Sequence, residues 1–152
     1  MTPTYQVRPA ERDDAPSLRH LSALWAEEGC TRGYPAFGEG DDRPDKWFDS
    51  GYLWVAAWDG TVVGYVAGVV KTGYGHGFKP EGERYLEIQE LFVHPDHRRR
   101  RVGHQLVDAI LRQATADGII RSVVASGNVD WQATYRFYER HGFQMLSMEM
   151  YR

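Results

Sequence analysis

At 152 residues and a formal net charge of -3, from 18 Lys+Arg against 21 Asp+Glu, the chain suits one domain with a substantial core. It lacks the broad positive field of a nucleic-acid binder. Hydrophobic residues make up 42% and charged residues 26%, as in a soluble globular protein, and a single cysteine, Cys30, excludes an internal disulfide framework and fits a reducing compartment. The opening stretch MTPTYQVRPAERDD has no signal-peptide core, and no apolar run approaches membrane-spanning length. A cytoplasmic protein with no membrane partner is therefore expected.

Tyr5 to Arg8 reads as a short first strand, ended by Pro9. Asp13 or Asp14 can cap a helix with Pro16 in its first turn, on which Leu18, Leu21, Leu24 and Trp25 share a face until Gly29 stops it. Residues 30–46, rich in Gly, Pro and Asp, predict a long loop, with a short helix around Asp45 to Ser50. Leu53 to Trp58 and Thr61 to Val70 are β-like and joined by Asp59-Gly60, a hairpin signal. Gly64 and Gly68 inside the second of these predict a bulge or a close approach. Residues 71–82 form a glycine-rich loop.

Leu86, Ile88, Leu91, Phe92 and Val93 make the next strand, with Glu87 and Glu90 inside it. Strict alternation would point these two acids to opposite faces. Pro95 and Asp96 end the strand, the run Arg98 to Arg101 follows, and Leu106, Val107, Ile110 and Leu111 recur at helical spacing. Arginines between a buried strand and a helix N-terminus suit a phosphate, because that end presents unsatisfied N–H groups and a partial positive charge. A solvated charged turn is the competing reading. Gly118 closes this helix, Ile119 to Ser126 reads as another strand, and Asp130 caps a helix over Trp131 to His141, with Gly142 following. Phe143 to Tyr151 alternates as a final strand. The order β-α-(α)-β-β-β-α-β-α-β predicts an α/β (α+β) domain spanning 1–152, without repeats or linkers.

Two motifs carry a family resemblance. Val93-His-Pro-Asp-His-Arg98-Arg-Arg-Arg101-Val-Gly103-His resembles the acyl-CoA-binding motif of the GNAT N-acetyltransferase superfamily, with Arg101 where the family usually has its first glycine. Tyr138 with Gly142-Phe143 resembles the family's Tyr-x-x-x-Gly-Phe at the end of its last helix. An asparagine that the family commonly has seven residues before this tyrosine is here Trp131, with Asn128 three residues upstream. The resemblance covers essentially the whole chain. It implies the GNAT fold, a mixed and mostly antiparallel sheet of about six to seven strands flanked by about four helices.

It also implies acetyl-CoA as cosubstrate. Leu91, Phe92 and Val93 would pair with the pantetheine arm, and the amides from Arg99 through Arg100, Arg101, Val102 and Gly103 to His104 would receive the pyrophosphate, beside Arg98. Asn128 and Tyr135 are further candidates at the cofactor. Glu87 matches the base of the histone-type enzymes and is the preferred candidate, while Glu90 sits where several small-amine enzymes have an acid. Tyr138 matches the acid that protonates the leaving thiolate. The loop over the acceptor site holds Tyr34 and Phe37 beside Glu27, Glu28, Glu39, Asp41 and Asp42, an acidic and aromatic set suited to a cation such as a polyamine or an aminoglycoside-like amine. The alternatives are a protein N-terminal or lysine acetyltransferase, or a non-catalytic acyl-CoA-binding module. No metal site is expected, because His94, His97 and His104 lack a further ligand cluster. Dimers are frequent in the family, and the sequence leaves the oligomeric state, a homodimer included, open.

Overall fold

A computed structural model describes residues 4–77 and 79–152; Phe78, in the glycine-rich loop, lies outside the described residues. Five strands form one sheet in the order β1 (Gln6–Pro9), β2 (Leu53–Trp58), β3 (Thr61–Thr72), β4 (Arg84–Val93) and β5 (Ser122–Val124). All neighbours are antiparallel except β4 and β5. Helices α1 (Ala15–Glu28) and α2 (Arg43–Ser50) pack on one face, α3 (Val102–Ala116) packs on the other, and α4 (Trp131–Glu139) follows β5. The sheet thus separates two cores. One gathers Leu18, Leu21, Phe37, Trp47, Tyr65 and Phe92, and the other Val66, Leu86, Ile88, Leu106 and Ile110.

The hairpin forms as its turn chemistry dictates: Asp59 (φ 49°) and Gly60 (φ 78°) both take the left-handed region that a two-residue turn of this kind requires. A bulge then decides the site. Pairing slips between Ala67 and Gly68, so that Ala67 faces Glu90 and Gly68 faces Ile88, with Gln89 left over. A Cβ on Gly68 would lie 2.8 Å from the Glu87 carbonyl oxygen, so this approach of β3 to β4 needs glycine. The extra residue flips the alternation. Leu86 and Ile88 pack toward α3 as Leu91 and Val93 do, while Glu90 joins Phe92 on the α1–α2 side. Glu87 lies on that same side, and the opposite placement expected from simple alternation is corrected by one residue.

Two further expectations are corrected. The sheet has five strands, not six or seven. Phe143 to Tyr151 forms no strand, and Met145, Leu146, Met148, Met150 and Tyr151 stand exposed. Alternation marks the capacity to be a strand, but a strand forms only where a neighbour supplies its hydrogen bonds. Likewise only Ser122–Val124 of the Ile119–Ser126 run pairs with β4, because the two parallel strands then separate. Among the described residues, no helix is long and apolar enough to cross a membrane.

Candidate active site

The separation of β4 from β5 opens a cleft of about 690 Å³ between the strand ends. One wall is Glu90 to Val93, and the other is Val124 to Asn128; the start of α3 forms one end, and Phe137 and Tyr138 of α4 close the side. A further end is bounded by Trp25, Tyr34, Pro35 and Arg43. Past Ile88, where pairing with β5 ends, β4 has no strand partner on the cleft side among the described residues, and the Arg98 side chain takes the Val93 carbonyl. The His94 amide donates to the Val63 carbonyl at 2.7 Å, toward β3, so by alternation the Val93 N–H points the other way, into the cleft.

The turn after β4 is shaped for an anion. Arg99 (φ 61°) and Arg101 (φ 63°) both adopt left-handed backbone, which turns successive amides toward one concavity. Arg101 caps α3 in this conformation, at the position where the family pattern has glycine. The Gln105 amide donates to the Arg101 carbonyl at 3.0 Å, so the amides of Val102, Gly103 and His104 have no acceptor within the helix. A Cβ on Gly103 would lie 3.3 Å from the Phe137 ring, so a side chain there would push α4 against the cleft. Free amides, left-handed backbone and a glycine-tight wall fit the pyrophosphate and pantetheine of an acyl-CoA.

Arg98 is already engaged. It forms a two-pronged pair with Glu28 (2.7 Å from Nη1 to Oε2) and donates from Nε to the Val93 carbonyl at 2.9 Å. Its guanidinium lies over Phe92, at 5.3 Å from the ring centroid. It therefore joins α1 to the end of β4.

Glu90 is buried at 7% exposure and fully coordinated. Tyr34 and Tyr65 donate to Oε1 at 2.8 Å and 2.7 Å, and Arg43 donates to Oε2 at 3.0 Å. Burial raises its pKa above the ordinary carboxylate value, against the opposing pull of the two phenols and Arg43. The Tyr34 hydroxyl, pushed up to about 12 chiefly by burial, also bonds Ser22 at 2.7 Å, and its ring stacks on Trp25 at 4.1 Å. Glu87 lies outside the cleft lining, bonded to Lys71 at 3.0 Å and to Gln89 at 3.1 Å. Burial acts to raise its pKa, but the bonds from Gln89 and Lys71 prevail and hold it low.

Tyr138 lines the cleft, buried at 8%, and its hydroxyl makes no hydrogen bond among the described residues. Burial alone pushes its pKa up, so it stays protonated. Asn128 lines the cleft, while its side-chain oxygen accepts from the Asp130 amide at 2.8 Å. Tyr135 and Trp131 lie outside the cleft lining.

Among the expected acceptor residues, Tyr34 reaches the site and Phe37 is buried in the core at 3% exposure. Glu27 is exposed and Glu28 serves Arg98. The loop acids are paired as well, Asp41 with Arg43 at 3.0 Å and Asp42 with Lys46 at 2.8 Å. The sequence reading missed Arg43, Tyr65, Ser22 and Trp25. Arg43 and Tyr65 come from α2 and β3, and only folding brings them to Glu90.

A mixed sheet splayed between two parallel strands, with an anion-shaped turn and the titratable Glu90 and Tyr138 in the opening, suits an acyl-group transferase. Residues 18–143 match the Acetyltransferase (GNAT) family, and the chain belongs to that family. It is 34% identical over 95 residues to N-acetyltransferase family 8 member 2 of Rattus norvegicus, a match covering 62% of this chain and 39% of that protein. Its fold is similar to that of the aminoglycoside N-acetyltransferase AAC(6')-Iy solved in complex with CoA, with a TM-score of 0.76 and 17% identity over 100% of this chain and 95% of that one. It is also similar to a transcriptional regulator from Bacillus halodurans C-125, with a TM-score of 0.75 and 20% identity over 98% and 99% of the two chains. These structural likenesses carry the fold; the acceptor must be argued from the site.

Proposed function

We propose that this chain transfers the acetyl group of acetyl-CoA to a primary amine of a small molecule, with Glu90 as the base and Tyr138 as the acid. The observation that carries this reading is that both side chains line one cleft whose wall between them is the free edge of β4. Acetyl-CoA supplies the acetyl group as an activated thioester. The amides of Arg99 to His104 would hold its pyrophosphate, and the Val93 N–H would donate to the thioester oxygen as charge develops there. Glu90 takes the proton lost by the attacking amine, and its raised pKa makes it a better base than an ordinary carboxylate. As the carbon–sulfur bond breaks, Tyr138 gives its proton to the departing thiolate.

Supporting the small-molecule reading, one end of the cleft is walled by Trp25, Tyr34, Pro35 and Arg43, and a protein of similar fold is an aminoglycoside N-acetyltransferase. The pairing of Glu28, Asp41, Asp42 and Glu90 with cations removes bulk negative charge as the selecting force. The aromatic stack of Trp25 on Tyr34 is left as the surface against which an acceptor packs.

The test compares Glu90→Gln with Glu87→Gln in a thiol-release assay over polyamines, aminoglycosides, amino sugars and peptides. Loss of general-base catalysis predicts a fall of about 10²-fold or more in kcat/KM for Glu90→Gln and no more than about threefold for Glu87→Gln. Equal losses in the two variants would remove Glu90 from the role. Turnover of peptides alone would replace the acceptor class.

A further inference from the structure

Three side chains not used above form a chain that ends in the cleft. Asp108, on α3, places Oδ1 3.1 Å from His141 Nδ1. His141 Nε2 lies 2.8 Å from His104 Nδ1, and His104 sits in the first turn of α3 and lines the cleft. His141, just past α4, has a side chain only 6% exposed, whereas Asp108 is 57% exposed. The ring of His104 stacks on Phe137 at 4.5 Å. No buried side-chain nitrogen or oxygen among the described residues lacks a partner, and His104 Nε2 has none. That nitrogen is therefore open to solvent, on a residue of the cleft wall.

The protons of this chain are constrained. A carboxylate oxygen 3.1 Å from His141 Nδ1 favours the tautomer with the hydrogen on that nitrogen, because a bare lone pair there would be repelled. When both rings are neutral, His141 Nε2 must accept, His104 Nδ1 must donate, and His104 Nε2 is left as a bare lone pair. A phosphate oxygen would be repelled there. One added proton reverses this whichever ring holds it. Either His104 is the imidazolium, or His141 is the imidazolium and donates through Nε2 to His104 Nδ1, moving the His104 proton to Nε2. In both cases His104 Nε2 becomes an N–H donor beside the free amides of α3.

We propose that the Asp108–His141–His104 relay couples capture of the cosubstrate's pyrophosphate to uptake of one proton, making acetyl-CoA affinity fall as pH rises through the histidine range. This rests on the cleft being the acetyl-CoA site. Around His104, burial and then His141, Arg101 and Arg140 hold its pKa low, while Asp108 pulls it up. The free protein at neutral pH thus presents a largely unprotonated ring, and the arriving dianion supplies the charge that draws the proton in. Asp108 positions and charges the pair without touching the ligand.

The experiment is calorimetric titration of the whole chain with acetyl-dephospho-CoA from about pH 5.5 to about pH 8, in two buffers of different ionisation heat. The probe omits the terminal phosphate monoester, whose own second pKa of about 6 would otherwise mimic the effect. Expected are an affinity loss of about tenfold across the range and, with it, an uptake that peaks at about half a proton per ligand. Acetyl-pantetheine, which has no phosphate, should bind without taking up a proton. His104→Gln should bind at the wild-type's high-pH level throughout. Asp108→Asn, a change at an exposed position that spares the fold, should move the affinity loss to lower pH. Wild-type binding without proton uptake, or unchanged pH dependence in His104→Gln or Asp108→Asn, overturns the relay and leaves the transferase reading standing. Absence of binding at every pH overturns the cosubstrate site itself.

Discussion

Arg43→Met tests the balance of charge around Glu90. The substitution keeps an unbranched apolar side chain and removes the guanidinium, which lies 5.1 Å from the Phe37 ring centroid and 3.0 Å from Glu90 Oε2. At that separation and an effective dielectric of about 20 the attraction is about 5 kcal/mol. Arg43 is still 25% exposed, so water screens part of this, and the variant recovers the desolvation of the guanidinium. A net destabilisation of about 2–3 kcal/mol follows, or a Tm lower by about 5–10 °C for a chain of this size.

The pH dependence gives the sharper check. Because burial raises the folded-state pKa of Glu90, its contribution to stability is fully present below the unfolded carboxylate value and is lost as pH rises through the folded value. Removing Arg43 raises that folded value further, since the ionised form loses its counter-charge. The Tm deficit of Arg43→Met should therefore be small near pH 4 and grow toward pH 7, as followed by differential scanning calorimetry of both proteins. The acid limb of kcat/KM should move to higher pH in parallel. A deficit of the same size at both pH values would refute the assignment of Arg43 as the counter-ion of a buried, titrating Glu90.

Tyr138→Phe should fold and bind acetyl-CoA as the wild type does, because the hydroxyl has no partner among the described residues, yet lose about 10²-fold in kcat. Single-turnover kinetics with a good acceptor would show it, and an unchanged kcat would remove the acid role. Arg101→Gly should raise stability by about 0.5–1 kcal/mol, because glycine relieves the left-handed strain at φ 63° and gives back part of the gain through greater freedom when unfolded. Its acetyl-CoA affinity should stay within about threefold by calorimetry, since the amide and not the side chain faces the anion. A large loss of affinity would make the Arg101 guanidinium itself a ligand.

Local chemistry made the turn and the two main helices of the cleft readable from sequence. Val93, the arginine run and Gly103 mark a strand-to-helix turn by composition alone, and Asp59-Gly60 forms its hairpin because two left-handed residues suit no other connection so well. Asp130 caps α4 through the Ala133 amide at 3.1 Å, a bond between residues three apart.

Everything that depended on a neighbour from elsewhere in the chain was decided by the tertiary structure. The bulge opposite Gly68 put Glu87 and Glu90 on one face, and register between strands is a property of the pair rather than of either sequence. Glu90 became the buried hub because Tyr34, Arg43 and Tyr65 converge on it from three different elements. The loop's acidic composition suggested a cation pocket, yet folding paired Glu28, Asp41 and Asp42 with cations of this chain, and charge counted along a chain cannot say which charges will meet. The alternating tail from Phe143 lacked a partner strand and stayed exposed. The sequence by itself thus determined the helices, the first hairpin, the family motifs and the anion-shaped turn, all set by interactions within a few residues. Only the tertiary structure decided which acid faces the cleft and which histidines connect to it, because those contacts join groups 25 to 56 residues apart around Glu90 and 37 apart at His104–His141.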